Sequence, residues 1–80
     1  MSQVLIERVA HGPSRSLDRL TGRQRDIYDL IGRGFTTREI AREMRLSVKT
    51  VESHRASIIK KLGLRSGAEL VRHAIASTQG

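Results

Sequence analysis

The segment TTREIAREMRLSVKTVESHRASIIKKL, residues 36–62, decides the fold of this chain. Thr36 and Glu39 stand three apart at its start. At that spacing a Thr hydroxyl and a Glu carboxylate cap each other's backbone amides and open a helix. Ile40, Ala41 and Met44 follow at helical spacing and the pattern stops near Arg45. Ser47 then caps a longer helix carrying Val48, Val51, Ile58, Ile59 and Leu62, with Gly63 as its stop. Only Arg45-Leu46-Ser47 separates the two, with Leu46 turned inward as a plug. So short a link makes the helices cross steeply, which is the helix-turn-helix arrangement. The turn lacks the Gly often found there, and any small helical bundle can hold such a link, so length and patterning carry this step.

Working outward, Thr21-Gly22-Arg23-Gln24 is a capping box that opens a helix with Ile27, Tyr28, Leu30 and Ile31, and Gly34 offers a left-handed stop. Ser66-Gly67-Ala68-Glu69 is a further box, opening a last helix with Leu70, Val71, Ala74 and Ile75. Apolar residues never alternate over more than three positions, so no strand competes. The expectation is an all-α domain of four short helices over residues 20–77. Residues 1–19 read differently. Val4, Leu5, Ile6 and Val9 suit two turns of amphipathic helix, His11-Gly12-Pro13-Ser14 breaks it, and the rest reads as a tail or interdomain linker. The chain shows no internal repeat and no low-complexity tract.

Composition narrows the partners. The chain has 80 residues, with 15 Lys and Arg against 8 Asp and Glu, a net charge of +7. Such an excess concentrates polyanions near the surface, so nucleic acid or an acidic surface is the natural partner. Twelve of the cations are Arg, whose planar fork suits phosphate. A domain of this size buries roughly 60% of its unfolded surface, which leaves little room for a substrate cavity. No Cys is present, so disulfides and thiolate zinc sites are excluded. No apolar run approaches the roughly 20 residues that span a bilayer, and the first residues lack the basic and apolar regions of a signal peptide. The expected place is the cytoplasm, without membrane contact.

The helix over residues 47–62 carries the functional signal. At about 100° per residue, Val51, Ile58 and Leu62 fall in one narrow stripe that must face the core. The opposite side presents Lys49, Ser53, Ala56, Ser57 and Lys60, with Glu52 on one flank and Thr50, His54 and Lys61 on the other. Small residues in the middle let a helix lie deep in a major groove about 12 Å wide, while cations at the ends reach phosphates or guanine edges. Segment 45–61 holds Arg45, Lys49, Arg55, Lys60 and Lys61 against the single carboxylate Glu52. A charge run is usually a solvated face; its place on the helix after a tight turn favours DNA.

Several linked motifs then bring a family into view. Leu20-Thr21-x-Arg23, Ile31-Gly32-x-Gly34, Arg38-Glu39-Ile40-Ala41, the run 46–55 and Lys61-Leu62-Gly63 together resemble the LuxR-type helix-turn-helix domain, over residues 20–76 without a gap. LSVKTVESHR most resembles the output half of NarL/FixJ-type two-component response regulators, and residues 1–19 look like the linker that follows a receiver domain there. The resemblance implies a sequence-specific transcriptional regulator whose third helix enters the major groove of double-stranded DNA and whose fourth helix pairs two copies over a repeat. Carried over by position, Lys49, Glu52, Ser53 and Ala56 lie against base edges, and Thr36, Thr37, Thr50, Arg55, Lys60 and Lys61 near phosphates. Arg55 stands only about 40° from the core stripe, so a structural brace to a carboxylate such as Glu39 is an equal reading, and Lys61 shares that ambiguity. Homodimerisation on DNA would use Ala68, Val71, Arg72 and Ile75, a patch too small to hold dimers unaided. RNA polymerase is a further expected partner. Gln24 stands where the family usually has Glu, and Tyr28 replaces the usual Leu, which suggests a hydroxyl at the edge of the core.

Other chemistries find no support. His11, His54 and His73 are too scattered for a metal site, every Ser near a His is taken by capping or by the exposed helix face, and the glycines are isolated helix stops. The expectation is therefore no enzyme, no cofactor and no metal. Two rivals remain: a module that uses the same fold to dock an acidic protein or polymerase subunit, and a promoter-reading domain of the sigma-factor kind, which needs no pairing helix.

Overall fold

The computed structural model describes residues 17–79; the helix expected over residues 4–9 and the break at 11–14 lie outside them. Four helices follow in order, α1 (Gly22–Gly32), α2 (Thr37–Met44), α3 (Val48–Leu62) and α4 (Gly67–Gln79). Among the described residues there is no strand.

Each start is written in a side chain. Thr21 Oγ1 accepts the Gln24 amide at 3.1 Å while Gln24 Oε1 accepts the Thr21 amide at 3.2 Å. Thr36 and Glu39 repeat the exchange at 3.1 and 2.9 Å. Ser47 Oγ accepts the Thr50 amide at 3.0 Å. Such caps are each worth about 1 kcal/mol, because the first amides of a helix have no partner of their own. The last helix departs from the expected box. Ser66 Oγ accepts the Glu69 amide at 3.3 Å, but the Glu69 carboxylate reaches past Ser66 to the Arg65 amide at 2.7 Å.

Three helices also stop alike. After α1, α2 and α3 the chain enters the left-handed region at Gly34 (φ 96°), Arg45 (φ 58°) and Gly63 (φ 69°). Each of these amides bonds the carbonyl three residues back, at 3.0, 3.3 and 3.2 Å. The following amides, of Phe35, Leu46 and Leu64, bond carbonyls five back, at 3.1, 2.8 and 2.9 Å. This is the Schellman stop, with its customary apolar residue after the turn. Phe35, Leu46 and Leu64 all pack on the core, so each stop also aims the chain inward. A non-glycine residue in this region costs about 1 kcal/mol, so Arg45 is the strained member of the three.

The turn of Arg45, Leu46 and Ser47 sets α2 across α3, and α1 closes over both while packing on α4. Ile27, Ile40, Val51, Ile58, Leu70 and Ala74 meet in the centre, fully buried. Burying a side chain such as Ile contributes about 1.5–3 kcal/mol, so this small cluster supplies most of the driving force. Leu17 joins it, and the Leu17 carbonyl accepts the Leu20 amide at 3.0 Å. The packed unit thus begins before residue 20: a lone Leu in a polar stretch read as linker, but the tight turn folds it back onto the core. Tyr28 packs in the core with its hydroxyl directed to the part-buried edge, against α4. Its ring is 1% exposed, and its hydroxyl lies 2.6 Å from His73 Nδ1 and 3.2 Å from the His73 carbonyl on α4. Among the described residues no helix is long and apolar enough to cross a membrane.

Candidate nucleic-acid interface

Because Val51 and Ile58 anchor one side of α3 in the core, the opposite side is left to solvent. Lys49, Glu52, Ser53, Ala56 and Lys60 are all exposed there. Lys49, Ser53, Ala56 and Lys60 recur at intervals of four, three and four, so they form one stripe along the helix. Its middle is small and its ends are cationic. Val48, in the first turn, is also exposed, at 39%.

Thr50 is exposed on the flank, where its hydroxyl oxygen accepts from the Ser47 hydroxyl at 2.9 Å. Its own proton remains available to an acceptor. Thr36, exposed at the start of α2, likewise spends only acceptor capacity on the Glu39 amide and keeps its hydroxyl proton. Thr37 beside it is half-buried.

Two residues of α3 are hydrogen-bonded to α1. The Ser57 hydroxyl accepts from Gln24 Nε2 at 3.1 Å, and Lys61 Nζ donates to Gln24 Oε1 at 2.8 Å. Ser57 therefore belongs to the seam with α1, not to the free face where its helical angle of about 120° from the core stripe placed it. The N-terminal turn of α1 leans over that flank and widens the buried side. Gln24 is the buried polar centre of this seam, 6% exposed, with both ends of its amide satisfied. The capping box at residues 21–24 signalled only its local bond; its partners on α3 are too distant in sequence to be read from spacing.

Arg55 is half-buried, and its Nη2 lies 3.6 Å from where a Cβ on Gly67 would sit. Its guanidinium thus rests against the start of α4. The brace to Glu39 is not formed: Glu39 is spent on the α2 cap, and the one ion pair among the described residues is Arg25–Asp29 at 3.6 Å. The other cations among the described residues therefore stand without a carboxylate partner, which leaves their charge free to act outward.

On α4, Ala68, Arg72 and Ile75 are exposed at intervals of four and three, while Val71 packs partly against the core. They lie on the outer side of the helix, with Ile75 36% exposed. His73 is occupied by Tyr28, with the two rings edge to face at 5.7 Å.

Comparison with known proteins gives the family. The family model for bacterial regulatory proteins of the luxR family matches residues 18–74. The chain is 48% identical over 58 residues to the uncharacterized response regulatory protein YgeK of Escherichia coli (strain K12), covering 72% of this chain and 40% of that protein. It is 46% identical over 56 residues to the oxygen regulatory protein NreC of Staphylococcus aureus (strain JH9), covering 70% of this chain and 26% of NreC. The chain thus spans well under half the length of either relative. No solved structure matches it.

Proposed function

Because the chain belongs to the luxR family of bacterial regulatory proteins, a family of DNA-binding transcription regulators, we propose that it reads a specific duplex sequence with α3. The observation that carries this reading is the exposed stripe Lys49, Ser53, Ala56 and Lys60, small in the middle and cationic at both ends. A helix with that profile lies deep in a major groove without steric conflict and meets phosphates at its two ends.

In this reading Lys49, Glu52, Ser53 and Ala56 face base edges. Glu52 is an acceptor suited to the exocyclic amine of cytosine, and Lys49 a donor suited to guanine. Thr36, Thr37 and Thr50 offer hydroxyl protons to phosphates, with Lys60 as the free cation at the far end. Lys61 keeps its bond to Gln24 and has two further donors for the backbone. Arg55, resting on the start of α4, serves both as spacer and as phosphate ligand. The work is binding and positioning, with no bond made or broken.

Two copies pair through Ala68, Val71, Arg72 and Ile75 of α4 when they occupy neighbouring half-sites. The small patch suits pairing that DNA must assist. The similarity to response regulators supports a role as output domain under a receiver, with transcription altered through contact with RNA polymerase. Selection from a random duplex pool at about 100 mM salt tests the proposal. Two related half-sites about one helical turn apart are expected to be enriched. Weak, salt-sensitive retention of every sequence would reject specific reading and favour a protein-docking module.

A further inference from the structure

The chain ends three helices on one device but uses glycine in only two of them. Gly34 and Gly63 hold the left-handed position after α1 and α3, and Arg45 holds it after α2, with the same pair of amide–carbonyl bonds around each. A Cβ at Gly34 or Gly63 would meet nothing within 4 Å, so glycine serves the backbone angle there and not a lack of space. The same angle at residue 45 asks for glycine as well. An arginine there lowers stability, and nothing inside the fold compensates. Arg45 is exposed, and its side chain has neither a hydrogen bond nor an ion pair among the described residues.

Its place is informative. Arg45 lies two residues before Ser47, which caps α3, and so flanks the end of the reading stripe that begins at Val48 and Lys49. Arg45 and Lys49 are the cations at this end, both exposed and without a carboxylate partner among the described residues. The stripe's other end has Lys60 free, with Lys61 already bonded to Gln24.

We propose that Arg45 is a phosphate-binding residue, holding the DNA backbone that passes the N-terminal end of α3. Its planar fork presents paired donors to phosphate oxygens, and the contact carries no sequence information. The strained turn is thus kept at a cost in stability because it sets a cation at the entrance of the reading face. This inference rests on the DNA-binding reading of α3.

Arg45→Gly and Arg45→Gln separate the two effects. Glycine relieves the backbone and removes the charge, whereas Gln removes the charge and keeps the strain. Arg45→Gly is expected to raise Tm by about 4–8 °C. Both variants should bind any duplex about tenfold more weakly at about 100 mM salt, as for loss of one charged hydrogen-bonding group. Their plots of log affinity against log salt should be shallower by about 0.9, the share of one phosphate contact. A wild-type chain that binds DNA while both variants match its affinity and slope overturns this inference alone. A wild-type chain that retains no duplex overturns the DNA-binding reading together with it.

Discussion

Lys61 Nζ lies 2.8 Å from Gln24 Oε1, so the last turn of α3 is tied to the first turn of α1. The same amide holds the Ser57 hydroxyl through its nitrogen, at 3.1 Å. One buried side chain thus caps one helix and fixes the approach of another. Gln24→Ala removes all three bonds and is expected to cost about 2–3 kcal/mol. Thr21→Ala removes the local cap alone and should cost about 1 kcal/mol. Urea unfolding of both variants measures the difference, and equal losses would show that the seam between α1 and α3 adds nothing to the cap.

Tyr28 contributes a second polar tie, with its own pH signature. Burial pushes its phenol above the ordinary value of 10.0. The folded state therefore keeps the proton longer than the unfolded chain does. The stability from this group is full below pH 10.0 and declines as pH climbs from there through the raised folded value. Tyr28→Phe should lose about 1 kcal/mol at neutral pH, through the lost bond to His73. Its stability should also fall less steeply than the wild type's above pH 10.0. Thermal melts of the two proteins across the alkaline range report the sign, and parallel curves would place the phenol's titration outside the folding equilibrium.

Lys60, exposed and unpaired at the end of the stripe, is expected to act on the phosphate backbone alone. Lys60→Ala should weaken binding to unrelated duplexes by the same factor and flatten the salt dependence by about 0.9. Titrations on three unrelated sequences at several salt concentrations check this. A loss confined to one sequence would move Lys60 to the base-reading set.

Ile75 stands on the outer side of α4 and is 36% exposed, so a charge there leaves the core intact. Ile75→Glu should preserve Tm and affinity for a single half-site. On a duplex with two half-sites it should replace joint occupancy by stepwise binding. Gel-shift titrations distinguish the two patterns, and undiminished joint occupancy would remove α4 from the pairing role.

What could be read from the chain alone follows the range of each interaction. Thr21, Thr36 and Ser47 cap within three residues, so spacing exposes them directly. Val51 and Ile58 mark the buried side of α3 because helical period and burial are the same fact. Gln24 shows the opposite case. Its cap to Thr21 is local and legible, but its bonds to Ser57 and Lys61 depend on how α1 lies across α3. Helical angle alone puts Ser57 on the free face, whereas the packing puts it in the seam with α1. Leu17 escaped because a single apolar residue has no period. Arg45 escaped because arginine carries no preference for the left-handed region, so the stop was visible only as the absence of the expected glycine. Glu69 is legible as a capping residue from its spacing, but which amide it takes, that of Arg65 rather than Ser66, is settled by the path of the turn.

The most direct test of the account exchanges side chains in the middle of the stripe and asks which sequence is then preferred. Glu52→Gln and Ser53→Asn alter donors and acceptors on the exposed face of α3 without touching the core. Selection from a random duplex pool with each variant should yield a consensus changed at one or two positions, with a discrimination shift of about 1–3 kcal/mol at those bases. If wild type and both variants recover one and the same consensus, α3 does not read the bases through this face.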